Sequence, residues 1–197
     1  MGILRPLLPT GGLLRGLFVL LAWCGPGAHT APAQVRPASL PEEQVKAAYL
    51  YNFAKFVDWP GKTWSGSAVL LIGVAGDNAL AEVLEQAVRD KKVGDRLLLV
   101  RQTDDPRELA GCNIAFLGWA DLPRVKRALE VLQGIPVLTV GPAEAFTRAG
   151  GMIGLVKEEN KIRFDINQGA AERSGLKISA KLLVLARTVA REDGHGR

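Results

Sequence analysis

Histidine and cysteine are scarce in this sequence, with two of each among 197 residues. One of each, Cys24 and His29, lies in an apolar N-terminal stretch that has the features of a cleavable signal. A serine triad needs a histidine base, and no G-x-S-x-G motif is present. A Cys/His zinc cage needs four ligands. The composition therefore excludes both kinds of site from the mature chain.

The first 33 residues have the three parts of a secretory signal: two arginines, an apolar stretch at 16–23 and an A-x-A site at 31–33. We predict cleavage after Ala33. The apolar stretch is shorter than the roughly 20 residues that span a bilayer. Bulky Trp23 before Cys24 argues against a lipoprotein site. The sequence therefore predicts an exported, soluble protein.

Removing 33 residues leaves 164, with a leader at 34–40, one domain at 41–191 and a polar tail at 192–197. The loss of two arginines lowers the formal net charge from +5 to +3. The remaining cysteine is Cys112, a lone thiol that is either buried and inert or open to pairing between chains. It precedes an apolar run, which favours burial without a disulfide. The lysines and arginines are spread rather than interleaved with aromatic residues, so no nucleic-acid partner is indicated.

Strand and helix patterns alternate through the middle of the chain. Continuous apolar runs, typical of strands covered on both faces, occur at 68–74, 96–100, 114–117 and 136–140. Helices are predicted at 77–89, 121–132 and 142–148. This alternation predicts a single α/β domain with a mostly parallel sheet flanked by helices.

The pattern changes after residue 150. Strands at 151–157 and 161–166, joined by a polar turn, predict an antiparallel hairpin at one edge of the sheet. The second strand alternates, so its polar residues are predicted to point outwards, namely Arg163, Asp165 and Asn167. A final helix is predicted at 179–191, with an apolar stripe of Leu182, Leu185, Ala186 and Val189.

The run PEEQVKAAYLYNFAKFVDWP at 41–60 predicts a helix with little charged surface, ended by Pro60. Helical spacing places one wide face on Val45, Ala48, Tyr49, Asn52, Phe53 and Phe56. Such a helix is normally covered on more than one side. It is therefore either a central core helix or one that keeps a side for a second protein. Trp59 and Trp64 after it are either a core lid or an interface anchor.

The turn GVAGDN at 73–78 lies between a strand and a helix, where ligands bind in α/β folds. Gly73 and Gly76 would let an anion approach the backbone beside Asp77 and Asn78. The motif is neither a dinucleotide fingerprint nor a P-loop, and Asp77 would repel phosphate. A tight turn with a helix cap is the alternative interpretation.

Several segments together resemble the YfiR family of exported proteins. They are KAAYLYNFAKFVDWP, GCN before IAFLG, PVLTVG, GGMIGLV, NKIRFDIN and GLKISAKLLVLA. The resemblance covers about residues 42–189. It implies a non-enzymatic periplasmic regulator without a cofactor. The best-known member binds the periplasmic domain of an inner-membrane diguanylate cyclase and inhibits the enzyme. An outer-membrane lipoprotein can sequester this inhibitor, and the released cyclase then promotes cyclic-di-GMP synthesis and biofilm growth.

The resemblance also implies a homodimer, and a sensor histidine kinase is an alternative membrane partner. The predicted contact residues are Tyr49, Asn52, Lys55, Trp59, Arg163 and Asn167. A small-molecule sensor, with its ligand at the 73–78 turn, is a second hypothesis. Some relatives have disulfides that include the cysteine of the Gly-Cys pair, but here Cys112 has no mature partner.

Overall fold

The computed structural model describes residues 41–64, 66–142 and 144–191. The predicted signal sequence, the leader and the polar tail with His195 lie outside the described residues. The strands are β1 (Val57–Asp58), β2 (Val69–Ala75), β3 (Lys92–Val93), β4 (Arg96–Gln102), β5 (Ile114–Leu117), β6 (Leu138–Pro142), β7 (Ile153–Glu158), β8 (Lys161–Asn167), β9 (Lys177–Ile178) and β10 (Thr188–Ala190).

Helices connect most of these strands. They are α1 (Glu42–Phe56), α2 (Asn78–Val88), α3 (Pro106–Leu109), α4 (Leu122–Leu132), α5 (Glu144–Arg148), α6 (Gln168–Arg173) and α7 (Ala180–Leu185), together with a 3₁₀ turn at Gly61–Trp64. None of the helices in these ranges combines the length and hydrophobicity needed to cross a bilayer.

Eight strands form one sheet in the order β10-β8-β7-β6-β5-β2-β4-β3. Neighbouring strands are parallel except in the β7–β8 and β3–β4 pairs, which are antiparallel. Strands β1 and β9 form a separate antiparallel pair. The predicted fold class, a single α/β domain with a mostly parallel sheet flanked by helices and an antiparallel hairpin, is confirmed. The hairpin is predicted at one edge of the sheet, and the short strand β10 lies outside it at that edge.

Both faces of the sheet are covered, as the continuous apolar strands predict. Along β5, Ile114 and Phe116 belong to the larger core, which also contains buried residues of α1 and α2. The alternate residues Ala115 and Leu117 belong to a smaller core on the other face, packed with buried residues of α4. Side chains alternate across a strand, so one four-residue strand contributes to two cores.

The buried stripe of α1 differs from the wide face predicted from the sequence. The buried residues are Ala47, Leu50, Phe53 and Ala54, whereas Ala48 and Asn52 are exposed. Helix α1 packs against α2. Small residues such as Ala47 and Ala54 allow two helices to approach closely, which a count of apolar positions does not capture. One side of α1 is therefore left open.

The C-terminal helix is shorter than predicted. Helix α7 ends at Leu185, and residues 188–190 form β10, which pairs in parallel with β8. The predicted apolar stripe is wrong at Leu185, which is 64% exposed, whereas Ala186 and Val189 are partly buried against the core although they lie beyond the end of the helix. The change to strand is stabilised where the Arg187 backbone N–H donates to the Phe164 carbonyl and its guanidinium binds the Asp165 carboxylate. A distant strand thus overrides local helical periodicity.

The hairpin β7–β8 forms as predicted, with Glu159 and Asn160 in left-handed conformation at its turn. The expectation that the polar side chains of β8 all point to solvent is wrong. Arg163 is exposed, but Asp165 and Asn167 are buried. Strand β10 covers β8 from Asp165 onwards, and each of these two buried polar groups has a partner within the chain.

Candidate functional site

The open side of α1 and the tip of the β7–β8 hairpin enclose a surface cleft of about 620 Å³. We call it the α1–hairpin cleft. Its lining comprises Pro41, Glu42, Val45, Tyr49, Lys157, Asn160, Lys161, Ile162 and Arg163. Tyr49 and Arg163, two contact residues predicted from the sequence, lie far apart along the chain and meet in this cleft.

Tyr49 is held in place on several sides. Its hydroxyl donates to the Ile162 carbonyl at 2.8 Å, which joins α1 to the edge of β8. Its ring stacks on Phe53 with centroids 5.8 Å apart and meets Phe164 edge-on at 5.4 Å. The half-buried Tyr49 ring therefore forms a fixed apolar wall of the cleft, beside Val45 and Ile162.

The cleft is lined by more cations than carboxylates, and only some of the cations form salt bridges. Glu42 binds Lys46 at 2.9 Å and Lys157 at 3.1 Å. These ammonium groups, Lys46 first, hold the pKa of Glu42 below its ordinary value. Lys161 and Arg163 form no salt bridge within the described ranges. The cleft therefore has two cations that form no salt bridge in the described chain, although Glu158 lies opposite Lys161 in the hairpin register.

The exposed side of α1 continues away from the cleft. Asn52 and Lys55, two further predicted contact residues, are exposed on it. Helix α7 packs beside α1 and exposes two large apolar side chains, Val184 at 84% and Leu185 at 64%. Sequence reasoning misses these two residues because it places Leu185 on a buried stripe. The surface around α1 is thus a mixture of aromatic, aliphatic, amide and cationic groups.

Two predicted contact residues are buried and form hydrogen bonds within the protein. Trp59 is 8% exposed, and its indole N–H donates to the Asn113 carbonyl at 3.1 Å. The Trp64 ring lies edge-on to it at 5.8 Å. Asn167 caps α6 by accepting from the Ala170 N–H, and its amide donates to the Thr147 carbonyl. Burial favours the core-lid interpretation of Trp59 and gives Asn167 a structural role.

The predicted ligand turn at 73–78 is filled by the protein itself. Asp77 caps α2 by accepting from the Leu80 N–H. The Gly76 N–H, which an anion would need, donates to the Asp104 carboxylate at 3.0 Å. A Cβ on Gly76 would lie 2.4 Å from the Trp119 ring, and one on Gly73 would lie 2.6 Å from Leu109. The tight-turn interpretation accounts for this geometry.

Cys112 is buried, as expected from the sequence, and its thiol is free in this structure. Burial raises the pKa of its thiol to about 11, with the nearby Arg101 opposing this shift and Glu108 adding to it. Such a thiol is a poor nucleophile near neutral pH. The described residues also contain no cluster of three or more histidine, cysteine or acidic side chains that could hold a metal ion.

The fold is an α/β domain with a surface cleft beside α1. The sequence profile of the family DUF4154, described as YfiR/HmsC-like, matches residues 43–187. The chain belongs to this family.

Comparison with solved structures agrees on the fold. A conserved domain protein from Vibrio cholerae has a TM-score of 0.53 and 13% identity, over 73% of this chain and 60% of that protein. At this identity the likeness shows the fold alone, and the chain spans only 60% of the Vibrio protein. An ABC domain from Streptococcus pneumoniae, solved with L-Trp, has a TM-score of 0.43 and 13% identity, over 62% of this chain and 55% of that one. That similarity supports no inference.

Proposed function

We propose that the protein inhibits an inner-membrane diguanylate cyclase by binding the cyclase's periplasmic sensor domain. The observation that supports this most is the family match over residues 43–187. The predicted signal sequence would deliver the protein to the compartment in which such a sensor domain lies. Dimer formation and sequestration by an outer-membrane lipoprotein are separate predictions from the family resemblance.

The proposed contact surface is the open side of α1 together with the α1–hairpin cleft. Tyr49, Asn52, Lys55 and Arg163 are accessible there, and they are four of the six residues predicted from the sequence. Tyrosine and arginine are enriched among the residues that contribute most to protein interfaces. Val184 and Leu185, exposed on the neighbouring helix α7, would add apolar area to an interface that extends onto that helix.

Inhibition places a thermodynamic requirement on this surface. The protein must bind the inactive state of the sensor domain more tightly than the active state, since equal binding would shift no equilibrium. A shift from 99% active to 99% inactive would need a difference of about 10⁴-fold in affinity. A contact surface with polar and charged groups as well as apolar ones suits this requirement. Polar contacts fit only one of the two conformations of the sensor domain, and so they can favour the inactive one.

The test is capture of the partner from native membranes. Tagged mature protein is incubated with detergent-solubilised inner membranes of its own host, and bound proteins are identified by mass spectrometry. We expect a membrane protein with a diguanylate cyclase domain to be enriched. Asn52→Arg, which places a bulky cation on the exposed face of α1, should reduce its recovery at least fivefold.

Gln133→Arg is the matched control, because Gln133 is also exposed but follows α4, outside the proposed surface. It should leave recovery unchanged. The proposal fails if no membrane signalling enzyme is enriched. The assignment of the surface fails if the two variants behave alike while both keep the melting temperature of the wild type.

A further inference from the structure

The α1–hairpin cleft combines an apolar wall with a cationic rim. The wall consists of Val45, the ring of Tyr49 and Ile162, all half-buried. On the rim, Glu42 neutralises Lys157, but Lys161 and Arg163 face the opening without an ion-pair partner in the described chain. The side chains that line the cleft therefore comprise three cations and one carboxylate, an excess of positive charge that would attract a negatively charged group.

The edge of β8 is open beside this cleft. Strand β10 pairs with β8 from Asp165 to Asn167, and the Phe164 carbonyl accepts from the Arg187 backbone N–H, so residues 161–163 have no strand on that side within the described ranges. An open edge can pair with an extended segment of another chain. The Tyr49 hydroxyl already occupies the Ile162 carbonyl. A bound segment would therefore rest mainly on side chains, with limited backbone pairing.

We propose that the α1–hairpin cleft binds an extended acidic segment that contains an apolar side chain. The apolar side chain would lie against Val45, Tyr49 and Ile162. The carboxylates on either side of it would face Lys161 and Arg163. The inference rests on the proposed function in one respect, namely that the segment belongs to the membrane partner.

Two alternative roles of the cationic rim would give different experimental results. Charged residues on an open strand edge can serve only to prevent edge-to-edge association. A cationic rim can also contact anionic lipid headgroups. An acidic peptide accounts for the rim and the apolar wall together, because the wall matches an inserted side chain and the charges flank it.

The experiment measures binding of fluorescein-labelled peptides to mature protein purified from the periplasm, by fluorescence anisotropy. The probe is GEDLIVEDG, compared with the charge-swapped GKKLIVKKG and with GEDSGSEDG, which lacks the apolar residues. We expect the probe to bind at least fivefold more tightly than either control. Raising NaCl from 50 to 500 mM should weaken it, because salt screens exposed charges.

Arg163→Glu should weaken binding of the probe at least fivefold, since it replaces attraction by repulsion at the rim. Arg127→Glu is the control, because Arg127 is an exposed arginine on α4, outside the cleft. It should change the affinity less than twofold. Ile162→Ser should weaken the probe but not GEDSGSEDG, which separates the apolar contribution from the charge contribution.

The proposal is overturned if the three peptides bind equally, or if the two arginine variants have the same effect. Self-association of Arg163→Glu without loss of peptide binding would assign the rim to edge protection. Binding to phosphatidylglycerol vesicles that depends on Arg163, without peptide binding, would assign it to a membrane surface. If a cyclase is captured equally by wild type and Arg163→Glu, this inference fails while the proposed function stands.

Discussion

The ion pair between Asp165 and Arg187 is expected to hold the C-terminal strand on the sheet. Arg187 donates Nε to Oδ1 at 2.9 Å and Nη2 to Oδ2 at 2.6 Å, which is a bidentate geometry. The Asp165 side chain is 9% exposed and that of Arg187 is 28% exposed. Arg187 lies between α7 and β10, so the pair fixes the point at which the chain changes from helix to strand.

The perturbation is Asp165→Ala. Removing one partner of a buried ion pair costs about 3–5 kcal/mol when the other charge is left buried and uncompensated. Arg187 would keep Glu158 at 3.9 Å from Nη1, which reduces this cost. Arg187 is partly exposed, and water recovers part of this loss. We therefore expect a reduction of about 2–3 kcal/mol in the free energy of unfolding. For a domain of this size, that corresponds to a fall of about 4–12 °C in melting temperature.

The internal comparison is Glu158, whose carboxylate lies 3.9 Å from Nη1 of the same arginine and is 49% exposed. Glu158→Gln should cost less than about 0.5 kcal/mol, as is usual for an exposed pair. Both variants are measured by urea unfolding and by thermal melting. Equal effects of Asp165→Ala and Glu158→Gln would refute the argument that burial and bidentate geometry make the difference.

Three further predictions concern other groups. Tyr49→Phe removes one 2.8 Å hydrogen bond to Ile162, so unfolding in urea should show a loss of about 0.5–1.5 kcal/mol, and an unchanged midpoint would contradict this. Because burial raises its pKa to about 11, the Cys112 thiol should react with iodoacetamide at pH 8 at less than about a tenth of the rate measured for the unfolded protein. Adding a reductant should not change the melting temperature. The pKa of Glu42 is held below its ordinary value of 4.5, so its ion pairs contribute stability that is present above that value and is lost as pH falls through the lowered pKa. Glu42→Gln should therefore melt below wild type at pH 7, and the gap should narrow as the pH is lowered; a gap that does not change with pH would count against this.

Much of the fold could be predicted from the sequence, because its central strands and helices have strong local signals. The run at 114–117 is apolar throughout and forms a strand with those bounds. Asp77 is predicted as a helix cap, and its side chain accepts the Leu80 N–H. In such segments, periodicity and capping chemistry agree with tertiary packing.

The errors arise where distant contacts decide the outcome. Residues 188–190 have helical periodicity, but the edge of β8 and the Arg187–Asp165 pair hold them as a strand. Asn167 alternates with apolar residues as an outward-facing residue would, yet it caps the helix that follows. The cleft depends on how α1 turns against the hairpin, and no local pattern reports that arrangement. The sequence indicates Tyr49 and Arg163 singly, without showing that they line one site.

The central claim is that the protein keeps a membrane cyclase inactive through the surface around α1. Cyclic-di-GMP is measured in its native host after deletion of the gene and complementation with wild type, Asn52→Arg or Gln133→Arg. We predict that deletion raises cyclic-di-GMP, that wild type and Gln133→Arg restore the low level, and that Asn52→Arg fails to do so at equal periplasmic abundance. A level of cyclic-di-GMP that does not respond to deletion would contradict the account.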